Sequence, residues 1–305
     1  MDGSRPASAP PSAFRDSEMA AHVHSFRESG YALVPGALDA STVSRWRAAV
    51  DRTAAVVRSN PEDHSARYTH RTAQEADTWG VSHIFDPSLY DPVYAEVFEH
   101  PGVMSFVHSV LGEELRFWTA HALWEPKAVD YELNWHKDNM ENDRYAPDGR
   151  STHVQFNICL LDDDCFRLVP GSHRRPLTEA ERDQVDAMGT GPLPGEVSVS
   201  CRAGDVLFMN HHALHRGSAS AGVPRRTLHM NVQAADEPTG GHTSWRFMRE
   251  EGYLDRMPPS VRTLMEATIA WDDAHPLPLA ETMRRRRASR QIKGHEARVS
   301  EGVRR

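Results

Sequence analysis

The chain has 305 residues, 39% of them hydrophobic, and a formal net charge of −8. That is enough apolar material for a sizeable core, and the acidic balance argues against wholesale nucleic-acid binding. No run of about 18 apolar residues occurs, so no transmembrane helix is expected, and residues 1–17 lack the apolar centre of a secretory signal. Cys159, Cys165 and Cys201 are odd in number and unpatterned, which fits reduced thiols in a cytoplasmic protein better than a disulfide frame. Lysine occurs only at 127, 137 and 293, a bias of GC-rich bacterial coding that says nothing of mechanism.

Residues 1–17 are rich in Ser, Pro and Ala and read as a disordered tail. A short helix over 18–27 leads to a turn and strand over 30–36. A helix follows over 38–58. Asp39 or Ser41 can cap it, and Val43, Trp46, Val50, Ala54 and Val57 recur at steps of three or four. Residues 60–80 are polar and unpatterned and read as a loop, of the kind that covers substrate or simply lies at the surface. One or two helices span 91–111, interrupted at Pro101-Gly102. The period then changes: Leu115, Phe117, Thr119, His121 and Leu123 share one face of a half-buried strand.

Residues 132–138 form an extended segment carrying His136 and Asp138, and 140–151 form a polar insertion with the turn signal Pro147-Asp148-Gly149. The strand over 153–161 places Val154, Phe156, Ile158 and Leu160 on one face and His153, Gln155, Asn157 and Cys159 on the other. The acidic triplet at 162–164 reads as a solvated turn before a short strand over 166–169 and the turn Pro170-Gly171-Ser172-His173. A helix over 178–188 carries a capping box, Thr178 with Glu181. Strands follow over 197–201, 206–209 and 227–232, then a last helix over 258–271 that starts on proline. Residues 281–305, with four consecutive arginines at 284–287, read as a basic solvated tail. Residues 18–280 thus read as a single domain. Helices early and late with short strands between them predict a mainly β fold with flanking helices, an antiparallel double-sheet barrel.

A histidine and an aspartate one residue apart on an extended segment project to the same side. With one distant histidine they make two imidazoles and a carboxylate, a set that with open positions suits non-haem Fe(II). There are 18 histidines, so His136-Lys137-Asp138 is weak alone. Order and context strengthen it: His215 follows far downstream, and Arg226 lies 11 positions beyond His215 in a strand, turn, strand layout. Arginine presents a planar fork that meets a carboxylate with two hydrogen bonds. The adjacent Arg225 is the alternative, since it would face the other way on a strand.

Together these segments resemble the phytanoyl-CoA dioxygenase-like branch of the Fe(II)/2-oxoglutarate-dependent oxygenases. The matching pieces are Trp135-His136-Lys137-Asp138, Leu168 to His173, Gly204-Asp205-Val206-Leu207-Phe208, His215-Arg216-Gly217-Ser218 and Arg226, within roughly residues 30–233. The resemblance implies a double-stranded β-helix of jelly-roll or cupin type. It also implies Fe(II) on His136, Asp138 and His215, and 2-oxoglutarate with its distal carboxylate on Arg226. Two departures stand out: Gly217 occupies a position where the family often has Ser or Thr, with Ser218 one later, and Asp164-Cys165 replaces a frequent Asn-Gly. Thr119, His121, Gln155 and Ser218 are further candidates for contact with 2-oxoglutarate or substrate. Relatives that halogenate carry Gly or Ala in place of Asp138, so its presence points to hydroxylation or another hydrogen abstraction with dioxygen; the family's habits imply a small-molecule substrate, in bacterial specialised metabolism. Cyclisation, desaturation or epoxidation would use the same cofactors. A zinc-dependent hydrolase and a non-catalytic ligand-binding relative are readings of other classes.

Overall fold

The computed structural model describes residues 16–72, 74–138, 144–239 and 243–280. The tails expected at 1–17 and 281–305 lie outside them, save Asp16 and Ser17, which open the first helix. The elements in order are α1 (Asp16–Ser29), β1 (Tyr31–Val34), α2 (Ala40–Ser59), β2 (Ala66–Arg71), β3 (Ala76–Ser82), α3 (Pro101–Leu111), β4 (Leu115–Trp124), β5 (Tyr131–Glu132), β6 (His153–Cys159), β7 (Asp163–Leu168), α4 (Glu179–Asp186), β8 (Val197–Cys201), β9 (Val206–Asn210), β10 (His215–Ala219), β11 (Arg226–Ala234) and α5 (Pro259–Ala274). Asp39 caps α2 by accepting from the Thr42 N–H at 2.8 Å, and the capping box of Thr178 and Glu181 is formed.

Seven strands make a large sheet in the order β1-β9-β6-β11-β4-β3-β2, and four make a small one in the order β5-β10-β7-β8. From β4 to β11 the chain passes between the sheets: β4, β6, β9 and β11 lie in the large sheet, β5, β7, β8 and β10 in the small one. The named pairings are antiparallel. This is the antiparallel double-sheet barrel expected from the strand pattern, and the double-stranded β-helix that the resemblance implies. The alternation read along β6 is the alternation observed. Val154, Phe156 and Ile158, with Leu160 just beyond the strand, join Phe208, Leu228 and Met230 in an apolar layer under Trp46, Phe106 and Met265 of the helices. Burial of each such side chain is worth about 1.5–3 kcal/mol, so this layer anchors the helices to the large sheet. The opposite face of the sheet carries polar side chains into the interior between the sheets.

Three expectations need correction. Residues 60–80 are not a loop: they contain β2 and most of β3, which extend the large sheet beyond β4. Their sequence is polar because part of it faces a polar cavity, so no apolar alternation marks them. Gly80 is required there, since a Cβ would lie 2.5 Å from Leu123 Cδ2 and 2.9 Å from the Ala122 carbonyl oxygen. The triplet at 162–164 is not wholly solvated either. Asp162 and Asp164 are exposed, but Asp163 is buried against Arg225, Nε to Oδ2 2.7 Å. Finally, β4 does not keep one face throughout. Its register against β11 shifts between Asn231 and Val232, and the extra residue at Trp118 turns Thr119, His121 and Leu123 toward the interior while Phe117 packs in the apolar layer.

Candidate active site

The segment from Asn134 to Asp138 is pinned along the edge of β10. The His136 N–H donates to the His215 carbonyl and the His215 N–H to the His136 carbonyl, both at 3.0 Å, and the Asp138 N–H donates to the His211 carbonyl at 3.0 Å. An extended backbone in that register sends His136 and Asp138 inward and Trp135 and Lys137 outward. Trp135 accordingly packs with Val169, Leu177 and Leu214, and its indole N–H donates to the Gly191 carbonyl at 2.7 Å, a core role rather than a cavity wall. The Pro-Gly-Ser-His turn holds the other side of the site. Ser172 Oγ accepts from the Leu214 N–H at 2.8 Å, the Val169 N–H reaches the Leu214 carbonyl at 2.9 Å, and His173 Nε2 donates to the Arg27 carbonyl at 2.9 Å. Gly171 sits at φ 75°, which is why this turn needs glycine.

His136, Asp138 and His215 offer one ligand atom each, all within 4.8 Å of one another. The imidazole centroids are 4.4 Å apart, and His215 Nε2 lies 3.9 Å from Asp138 Oδ1. Each ring is oriented by its Nδ1–H, which donates to a backbone carbonyl: His136 to Asn134 at 2.7 Å, His215 to Ala213 at 2.9 Å. That fixes the tautomer and leaves both Nε2 lone pairs for a cation. Burial, and then the neighbouring His136 imidazole, push His215 down to about 4, so it is neutral at physiological pH as a ligand must be. Asp138 Oδ2 is buried with no hydrogen-bond partner, an atom whose desolvation a metal would offset. Two nitrogens and one oxygen with open positions fit a non-haem Fe(II) centre.

The triad opens on a cavity of ≈ 220 Å³. Its floor is a ladder of side chains: Thr119, Asn231 and Gln155 are register partners in one row across β4, β11 and β6, and His121 and His229 in the next. The same period puts Arg225, one step before β11, on the cavity side with His229 and Asn231. Arg226 shares the opposite face with Leu228 and Met230. It is engaged by Asp51, Nε to Oδ1 2.6 Å, and by Glu125, and does not line the cavity. The 11-residue spacing therefore points to the arginine outside the cavity, and its neighbour is the one that lines it. Arg225 is buried between Asp163 and the Tyr131 hydroxyl. Burial works against its charge, but Tyr131, Asp163 and Cys165 together hold the guanidinium more firmly protonated than usual. Burial alone would raise Asp163, and Arg225 reverses that and keeps the carboxyl below its ordinary range.

Of the other candidates, Thr119, His121 and Gln155 line the cavity, with Thr119 Oγ1 2.9 Å from His121 Nε2. Ser218 does not: on β10 His215 and Gly217 point inward, and Ser218 faces away opposite Glu132. Tyr131, Asp163, Arg67, Trp79 and His229 were not singled out from sequence. Only His229 carried a signal, its two-residue step from Asn231 and from Thr227 along the polar face of β11.

His211 and His212 lie against each other beside this site, ring centroids 3.7 Å apart and planes tilted by 41°. Burial, and then the His211 ring, bring His212 down to about 3, and burial holds His211 well below the usual value. In the unfolded chain these groups take up protons near pH 6.5, so acid between about pH 6.5 and 3 favours unfolding, by about 1.4 kcal/mol per pH unit for each group. The urea midpoint of the metal-free protein is expected to fall steadily from pH 7 to pH 5, and His212→Phe to flatten that fall. Equal slopes in the two proteins would refute the assignment.

Comparison with known proteins agrees with this geometry. Similar solved structures include AviO1 from Streptomyces viridochromogenes Tue57 (22% identity, TM-score 0.57, covering 72% of this chain and 97% of that chain). Another is the non-heme alpha ketoglutarate dependent carbocyclase SnoK from nogalamycin biosynthesis (21% identity, TM-score 0.56, covering 83% and 95%). A third is EctD from S. alaskensis (15% identity, TM-score 0.55, covering 77% and 82%). At these identities the likeness establishes the shared fold. No curated protein matches the chain. Among the described residues no helix is long and apolar enough to cross a membrane. The family model for phytanoyl-CoA dioxygenase (PhyH) matches residues 26–228, and with the fold and the converging triad in place the chain belongs to the phytanoyl-CoA dioxygenase family.

Proposed function

We propose that this protein is an Fe(II)/2-oxoglutarate-dependent oxygenase that hydroxylates an unactivated C–H bond of a small molecule. The observation that carries the reading is one cavity holding both the convergent His136, Asp138 and His215 and, on a neighbouring strand, the buried Arg225. When bound, iron with 2-oxoglutarate and dioxygen supplies the oxidising power, and succinate and CO2 are formed. The chain's own part is to bind, orient and exclude water. The two Nε2 atoms and the Asp138 carboxylate hold the metal. Arg225 takes the far carboxylate of the diacid, where its planar fork outperforms a lysine. Trp118, Leu133 and Phe166 give the cavity apolar walls, and the amides of Gln155 and Asn231 present donors and acceptors to the substrate. Solved structures of the same fold support the choice of ligands: one of SnoN is described as a complex with Fe3+, alpha ketoglutarate and nogalamycin RO, and one of EctD with 2-oxoglutarate and 5-hydroxyectoine.

The test is turnover. Iron-loaded protein should convert 2-oxoglutarate to succinate only with Fe(II) and oxygen, faster with its substrate, whose product gains one oxygen atom. A product of unchanged mass would redirect the reading to epimerisation, and loss of two hydrogens to ring closure or desaturation. Activity with zinc in the absence of oxygen would replace it with a hydrolase.

A further inference from the structure

The cavity has two ends, and the fold makes them chemically different. Arg225 and Asn231 both line it but lie six residues apart along one extended stretch, about 20 Å of chain, so they mark opposite ends. Arg67 is the register partner of Gly80, which pairs with Leu123, four residues along β4 from Thr119. Its guanidinium lies over Trp79, 5.1 Å from the ring centroid. The carboxylate that lines the cavity, Asp138, belongs to the proposed metal site. The row of Thr119, Asn231 and Gln155 therefore carries no charge of its own.

Two amides in this row are short of partners. Asn231 Oδ1 accepts from His153 Nε2 at 3.1 Å, which leaves its NH2 group without a hydrogen bond among the described residues. The Gln155 amide makes none at all there, although the residue is only 9% exposed and lines the cavity. The two residues are directly opposed in register, a relation that sets Cβ atoms about 4.5–5.5 Å apart, so both amides reach one place. Buried amides without partners cost stability. Held at that cost on a cavity wall, they suit recognition of something that enters. Together they offer N–H donors and a carbonyl acceptor. An entering hydroxyl or carboxamide satisfies both, whereas a carboxylate, phosphate or ammonium would lose its water with no counter-charge to replace it. Trp118 lines the same cavity, its ring edge-on to His153 at 5.6 Å, and adds apolar surface for a carbon skeleton.

We infer that Gln155 and Asn231 select the substrate by an uncharged hydroxyl or carboxamide group and exclude substrates charged at that position. The inference rests on the reading of this cavity as an oxygenase site and concerns its substrate end. The experiment is anaerobic calorimetry on the full chain with Fe(II) and saturating 2-oxoglutarate. Four probes share one ring: cyclohexanol, cyclohexanecarboxamide, cyclohexanecarboxylate and cyclohexylammonium. A neutral probe should bind at least about tenfold tighter than either charged one, and the tighter of the two neutral probes assigns hydroxyl or carboxamide. Gln155→Glu should bind cyclohexylammonium at least about tenfold tighter than wild type does. A charged probe that wild type binds as tightly as the neutral ones, or no binding of any probe, would overturn the inference. Melting of the metal-free protein needs no ligand. Gln155→Leu removes the unpartnered amide and should melt at the same or a higher temperature; a fall would mark a structural amide and overturn the inference. Wild-type protein that binds the neutral probes but never forms succinate from 2-oxoglutarate with Fe(II) in air would overturn the functional reading alone.

Discussion

Arg225→Gln is expected to abolish measurable 2-oxoglutarate binding and to destabilise the protein strongly, whereas Arg226→Gln leaves binding intact and costs little stability. The two arginines are adjacent in sequence and opposite in space. Arg225 is buried with Asp163 and lines the cavity. Replacing it removes the fork proposed to hold the distal carboxylate and leaves Asp163 buried without its counter-charge, which costs about 3–5 kcal/mol. Arg226 pairs with Asp51 and Glu125 outside the cavity. Glu125 keeps Arg58 at 3.2 Å and the Arg225 N–H at 3.1 Å, so the loss there is expected to stay near about 1 kcal/mol. A double variant, Arg225→Leu with Asp163→Leu, separates the two effects. Removing both charges should recover much of the stability without recovering the ligand. Urea unfolding reads the first quantity and calorimetry the second. Recovered 2-oxoglutarate binding in the double variant would refute the clamp.

Loss of any one of His136, Asp138 and His215 should remove bound iron and turnover together. Changing a group that merely supports a metal ligand lowers affinity about 10–100-fold, so deleting a ligand itself should exceed that range. The supports of both imidazoles here are backbone carbonyls, at Asn134 and Ala213, so side-chain substitution cannot loosen the rings indirectly and the ligand variants are the direct probe. Asp138→Ala carries a further expectation. It deletes a buried carboxylate oxygen that has no partner, so the metal-free protein should unfold at the same or a higher temperature than wild type while its iron-induced rise disappears. Iron content by elemental analysis and melting with and without Fe(II) check both. A His136→Ala protein that retains stoichiometric iron would dismiss this site.

Part of the candidate site was legible because it depends on local rules, whereas the arrival of His215 beside it was expected from chain order and the family resemblance. His136 and Asp138 share a side through strand alternation alone, and the Pro-Gly-Ser-His and Gly-Asp turns carry their own geometry. Gly204 is at φ 97°, and Asp205 accepts from the Gly36 and Arg202 N–H groups at 2.8 Å. The arginine chosen by spacing lies outside the cavity, and the strand itself carried that answer. Arg225 keeps step with Thr227, His229 and Asn231, and Arg226 with Leu228, Met230 and Val232. Counting from His215 crosses a turn, and a turn does not preserve parity. Ser218 failed the same test on β10, where its neighbour Gly217 faces the cavity.

Residues 60–80 were unreadable for another reason. β2 and β3 extend a sheet whose inner face is largely polar, so the apolar alternation that marks a strand is absent. Local periodicity, capping and turn chemistry were enough to predict a β barrel with flanking helices, and order along the chain with the family resemblance pointed to His136, Asp138 and His215. Which arginine enters the cavity, that Asp163 neutralises it, and that Arg67 of β2 joins the lining depend on pairings between strands far apart in the chain. Such pairings are chosen by the closure of the whole barrel, where burying one apolar face and satisfying every interior charge must succeed together.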